Sequence, residues 1–123
     1  MATVLVVEDN EALRGLVVML LGQKGHNVLS ASNGLEGLMV YSSYHVRVDL
    51  VLTDIDMPQM NGIQLAARIR AQDPSRKIVF MTGREVENPG EVGNSPVLSK
   101  PFSPDKLIAT VEDALKTQTE PVR

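Results

Sequence analysis

A chain of 123 residues is long enough for one domain, with a single core flanked by helices. It is 43% hydrophobic but only 3% aromatic, so the core must be aliphatic, as buried parallel sheets usually are. A net charge of −3 gives no bulk electrostatic case for nucleic acid or an anionic membrane, and the lack of cysteine excludes disulfides, thiolate catalysis and zinc–sulfur sites.

The opening Met1-Ala2-Thr3-Val4-Leu5-Val6-Val7 is apolar but meets acids at Glu8-Asp9. It lacks the basic start and small-residue cleavage site of a signal peptide, and no run is long enough to span a bilayer. A cytoplasmic soluble domain is the expectation. Thr3 to Val7 reads as a buried strand. Asn10 can cap a helix in which Leu13, Leu16, Val17, Leu20 and Leu21 recur at helical spacing and which Gly22 and Gly25 close. His26 to Ser30 reads as a second, weaker strand, and Asn33-Gly34 marks the turn after it. Leu35, Leu38, Met39 and Ser42 then give one face of a second helix, with an ambiguous tail from Tyr41 to Arg47.

A third strand over Asp49–Thr53 delivers Asp54. Pro58 and Asn61-Gly62 break the chain into a loop before a third helix built on Ile63, Leu65, Ala66, Ile69 and Arg70, which Asp73-Pro74 stops. Lys77–Met81 is a fourth strand ending at Thr82-Gly83, and Pro96–Ser99 a short fifth ending at Lys100-Pro101-Phe102. Ser103 caps a last helix with Pro104 at its first position and Leu107, Ile108, Val111 and Leu115 facing inward. The segment Glu85–Ser95, with one proline and two glycines, predicts a loop with at most one helical turn. Residues 1–117 form the domain, and 118–123 read as a loose tail. Strand–helix alternation of this kind implies a doubly wound parallel α/β sheet.

In such a sheet the carboxyl ends of the strands converge along one edge, where ligands bind. Four of those ends carry polar groups: Glu8-Asp9, Asp54, Thr82-Gly83 and Lys100. Carboxylates without cysteine or clustered histidine suit a hard cation such as Mg2+. A lysine ammonium and a threonine hydroxyl beside the Gly83 amide suit phosphoryl oxygens. Burial raises the pKa of Asp54, so it needs a metal or cationic partners to stay ionised and nucleophilic. The combined reading is phosphoryl transfer to Asp54, with metal, Lys100 and Thr82 holding the transition-state charge.

With these residues in place, the chain from Val4 to Leu115 closely resembles the receiver domain of bacterial two-component response regulators. The motifs are Glu8-Asp9, Asp54-Ile55-Asp56-Met57-Pro58 with Asn61-Gly62, Thr82-Gly83 and Lys100-Pro101-Phe102. The resemblance implies a flavodoxin-like five-stranded sheet of order 2-1-3-4-5 with helices on both faces. It implies that Asp54 takes a phosphoryl group from the phosphohistidine of a sensor histidine kinase, as a self-phosphorylating module without external substrate turnover. Asp9, Asp54 and the backbone carbonyl of Asp56 would ligate Mg2+, Glu8 would act mostly through water, Lys100 would contact the phosphoryl group, and Thr82 would move toward it. The module would signal by protein contact or pass phosphate to a histidine phosphotransfer protein, with no direct nucleic-acid or membrane partner; a transient homodimer is compatible.

Two departures stand out. The family often has an aromatic residue three positions before the lysine, where this chain has Val97, and it usually has a full fourth helix where Glu85–Ser95 is shortened; receivers resembling those of hybrid sensor kinases share that shortening. Asp56 and Arg84 occupy positions that in the family flank the water's path to the phosphoryl group. They could pair across the pocket mouth, or remain two solvated side chains. His26 and His45 read as surface residues without a role, and Met57 and Met60 as packing or loop residues rather than a partner-binding patch, with exposure near the site left open. Two rivals remain: a haloacid-dehalogenase-like phosphatase, suggested by Asp54-x-Asp56, and a phosphate-independent interaction module.

Overall fold

In the computed structural model, which describes residues 2–86 and 89–116, the aliphatic runs pair with one another because their buried backbone groups have no water to bond. The elements are β1 (Thr3–Val7), α1 (Glu11–Gln23), β2 (Asn27–Ala31), α2 (Gly34–Tyr44), β3 (Leu50–Asp54), α3 (Gly62–Gln72), β4 (Lys77–Thr82), β5 (Val97–Ser99) and α4 (Pro104–Lys116). All strand pairs are parallel, in the order β2-β1-β3-β4-β5, which is the flavodoxin-like arrangement.

Side chains alternate across the sheet with the strand period of two. Leu5, Val7, Val51, Ile78 and Phe80 face α2 and α3, against Tyr41, Leu65 and Ile69. Val4, Val6, Leu50, Leu52, Val79 and Met81 face α1 and α4, against Val17, Leu21, Leu107 and Val111. Asparagines start three of the helices: Asn10, Asn33 and Asn61 each accept from a backbone N–H in the first turn, and Asn61 completes a capping box with Gln64. Between β4 and β5 the described residues hold only a single 3-10 turn, Pro89–Glu91, so a full helix is replaced there as the proline and glycines imply. The tail expected over 118–123 lies outside the described residues.

Several local expectations are corrected. β2 sits one residue later than read, at Asn27–Ala31, and Gly22 lies inside α1, which runs on to a cap at Lys24; Gly25 follows at a φ of 90°. The inward face of α2 is only partly as read: Leu38 packs against the core, but Leu35, Met39 and Ser42 are exposed, and the buried contacts run through Gly37 and Tyr41. A Cβ on Gly37 would lie 2.9 Å from a Val7 methyl, so its missing side chain lets the helix settle against β1 on that side. Tyr41, in the tail that looked ambiguous, is fully buried; its hydroxyl donates to Asp73 and accepts from Arg76 Nε at 2.9 Å. Met57 and Met60 turn into the core rather than out beside the site. His26 is not a surface residue: its side chain is 8% exposed, with Nδ1 accepting from the Ala2 N–H at 3.2 Å and Nε2 3.7 Å from Glu112.

Candidate functional site

The carboxyl ends of β1, β3, β4 and the segment after β5 meet at one edge of the sheet. The order β2-β1-β3 puts the turn after β1 beside the end of β3, so Glu8 and Asp9 reach Asp54. One carboxylate oxygen from each of the three lies within 4.8 Å of the others. Three oxygen donors at that spacing, with no sulfur or imidazole among them, fit a hard divalent cation.

Lys100 closes the cluster. Its Nζ is 2.8 Å from Glu8 Oε1 and 3.2 Å from Asp54 Oδ2. Its backbone N–H donates to the Thr82 carbonyl at 2.7 Å, which continues the β4–β5 pairing and fixes where the side chain departs. The Lys100–Pro101 peptide is cis. Burial draws the Lys100 pKa down, but the carboxylates of Glu8 and Asp54 outweigh it and the net shift is upward, keeping the ammonium charged.

Asp54 is 4% exposed, and its pKa is pushed up to about 6, first by burial and then by the negative charge of Glu8, against the pull of Lys100. The lysine therefore offsets only part of what burial costs. Because the folded-state pKa lies above the ordinary 3.8, the folded protein binds more protons than the unfolded chain between about pH 4 and about pH 6. In a chelating buffer, stability should fall as the pH rises through that window and level off above it. Asp54→Asn should remove the dependence and be more stable at neutral pH by about 2 kcal/mol. Urea unfolding of both proteins across that range checks this, and equal stability at neutral pH would count against it.

Glu8, 1% exposed, has every polar group engaged. Oε1 accepts from Lys100, Oε2 from the Asn10 N–H at 3.0 Å, the carbonyl from Arg14 Nη1 at 2.9 Å, and its own N–H donates to the Ala31 carbonyl at 3.1 Å. Asp9 is exposed beside it. Thr82 is buried next to the end of β3, and its hydroxyl both donates to the Arg84 carbonyl and accepts the Arg84 N–H, each at 3.2 Å. Gly83 is exposed. Arg84 Nε reaches both carboxylate oxygens of Asp56, at 3.0 and 3.1 Å, so these two charges form a pair rather than standing apart in solvent. Both partners are about half exposed, and such a pair contributes about 0–1 kcal/mol to stability. Val97 pairs with Phe80 and packs against the α2–α3 side of the core.

Sequence reasoning gave no role to Arg14, and it anticipated neither the saturation of Glu8 nor its close pairing with Lys100. The only linear signal was an arginine one turn beyond the Asn10 cap, which reads equally well as a solvated helix residue.

A family model described as a response regulator receiver domain matches residues 4–112. The chain is 44% identical over 85 residues, 69% of its length, to the autoinducer 1 sensor kinase/phosphatase LuxN of Vibrio campbellii, of which it covers 10%. It is 31% identical over 121 residues to the chemotaxis protein CheY of Listeria monocytogenes, covering 94% of this chain and 100% of that one. Among solved structures, response regulator protein TrrA from Thermotoga maritima, in complex with Mg(2+)-BeF, superposes with a TM-score of 0.84 at 29% identity, covering 93% of this chain and 99% of that one. The chain spans 10–13% of the length of the sensor kinases it matches.

Proposed function

Because the chain belongs to the response regulator receiver domain family of two-component signalling, we propose that Asp54 is its phosphoacceptor and that Lys100 and Thr82 assist the transfer. The observation that carries this reading is the buried Asp54 carboxylate, held 3.2 Å from the Lys100 ammonium and clustered with Glu8 and Asp9.

An Asp54 carboxylate oxygen attacks the phosphorus of a phosphohistidine. The new O–P bond forms as the P–N bond breaks, and the imidazole leaves with that electron pair and takes a proton from solvent. Lys100 would neutralise charge on the phosphoryl oxygens, and the Thr82 hydroxyl and the Gly83 N–H at the end of β4 would be further donors to them. The site fits Mg2+, as in the TrrA complex: Asp9, Asp54 and the Asp56 carbonyl would hold it, with Glu8 assisting through water. When bound, the ion supplies positive charge against the phosphoryl oxygens. For Thr82 to turn toward a phosphoryl group, its two bonds to the Arg84 backbone must break, so the segment following β4 would change with the arrival of phosphate. Val97 leaves no aromatic ring to follow that movement, and the Asp56–Arg84 pair would narrow the path of hydrolytic water.

The partners that suit this chemistry are a sensor histidine kinase as donor and, in a relay, a histidine phosphotransfer protein as acceptor, with no external substrate turned over. No described helix is long and apolar enough to cross a membrane. The phosphatase alternative is not favoured: the acid pair sits at the end of the third strand, and the receiver family covers nearly the whole described chain.

The test is intact mass after incubation with Mg2+ and acetyl phosphate, on wild type and Asp54→Ala. One phosphoryl group on wild type alone, dependent on Mg2+, is the expected result. An adduct that persists in Asp54→Ala would overturn the assignment.

A further inference from the structure

The acid nearest solvent in the cluster, Asp9, has to be aimed by its backbone, and the structure shows what holds that backbone. The peptide joining Glu8 to Asp9 carries the Glu8 carbonyl, which accepts from Arg14 Nη1 at 2.9 Å. Arg14 lies in the first turns of α1, where its own N–H donates to the Asn10 carbonyl at 2.9 Å, so the guanidinium reaches back from a fixed helical position. The remaining groups of Glu8 are bound to Lys100, Asn10 and Ala31. Among the described residues, the Arg14 guanidinium makes its hydrogen bond to this carbonyl and forms no ion pair with a carboxylate.

We propose that Arg14 is a positioning residue for the cation site: by fixing the plane of the Glu8–Asp9 peptide it sets the direction of the Asp9 carboxylate. This rests on the reading of Glu8, Asp9 and Asp54 as a Mg2+ site. Side chains that hold metal ligands in place commonly change metal affinity by 10–100-fold when removed. A long cationic side chain suits the task because it stays charged and carries a strong N–H donor from a fixed helical position to the carbonyl, whereas an unheld peptide would rotate and carry Asp9 with it.

The sign of the effect separates positioning from simple charge. Arg14 is a cation near a cation site, so through its field alone its removal would strengthen Mg2+ binding. Positioning requires the opposite.

Isothermal titration of Mg2+ into wild type, Arg14→Met and Arg14→Lys, with urea unfolding of each in chelator, distinguishes the cases. The expected result is about tenfold weaker binding in Arg14→Met, recovered in large part by Arg14→Lys, with unfolding midpoints in chelator close to wild type. Unchanged or tighter binding in Arg14→Met would overturn the proposal. So would a loss that Arg14→Lys does not recover, or one matched by a large fall in the unfolding midpoint. Absence of Mg2+ binding by wild type would overturn the reading of the site itself, and this proposal with it.

Discussion

Lys100→Met is expected to slow phosphorylation of Asp54 by about 10²–10³-fold and to lower stability by about 2–3 kcal/mol. Both effects follow from the same two contacts. The ammonium lies between Glu8 and Asp54, carboxylates that are 1% and 4% exposed, and the Glu8 charge pushes the Asp54 pKa up. Methionine fills a similar volume but leaves Glu8 buried with only the Asn10 N–H on its carboxylate. Removing one member of a buried pair costs more than the pair was worth, because the survivor remains desolvated. The kinetic loss has two parts. A positive group is absent where phosphoryl charge develops, and the pKa of Asp54, already about 6 with Lys100 present, climbs further. The second part recovers as pH rises and the first does not. The defect should therefore shrink, without vanishing, between about pH 6 and about pH 9. A time course of intact mass with acetyl phosphate reads this directly. A wild-type rate in Lys100→Met would remove Lys100 from the machinery, while a constant defect across pH would remove only its effect on the Asp54 proton.

Gly62→Ala is expected to destabilise the protein by about 3 kcal/mol or more and to disturb the site at the same time. A Cβ at residue 62 would stand 2.1 Å from the carbonyl oxygen of Asp54, 2.9 Å from its carbonyl carbon and 3.0 Å from Ile55 Cα. All three are backbone atoms, so no rotamer change relieves the clash; the start of α3 must move off the end of β3. That shift strains the Gly62 N–H bond to the Ile55 carbonyl, now 2.8 Å, and moves the peptide that carries Asp54. The variant should unfold at a lower denaturant concentration and bind Mg2+ more weakly. A stability within 1 kcal/mol of wild type, on the order of an ordinary surface change, would show that α3 can retreat without cost.

These two residues show how unevenly the sequence disclosed its physics. Lys100 was legible because lysine–proline after a short apolar run, with three other polar strand ends, makes a pattern that solvation alone does not explain. Gly62 was legible only as half of an Asn-Gly pair and read as turn chemistry. Its role is to leave room, and the atom that needs the room belongs to Asp54, eight positions earlier in the chain.

The sequence by itself determined the order of strands and helices, the ends at which chemistry gathers and the loss of a full helix between β4 and β5. Those follow from period, capping residues and breakers, which act over a few neighbouring residues. Only the tertiary structure decided which face of α2 turns inward, that His26, Met57 and Met60 are buried, that Asp56 and Arg84 pair, and that Glu8 is held by Lys100 and Arg14 at once. The α2 stripe of Leu35 and Met39 satisfies helical periodicity, yet the sheet is met through Gly37, because close approach rewards the absent side chain as much as apolar area. Contacts such as Lys100 to Glu8, 92 residues apart, depend on where parallel strands bring their ends, and no local pattern records that distance.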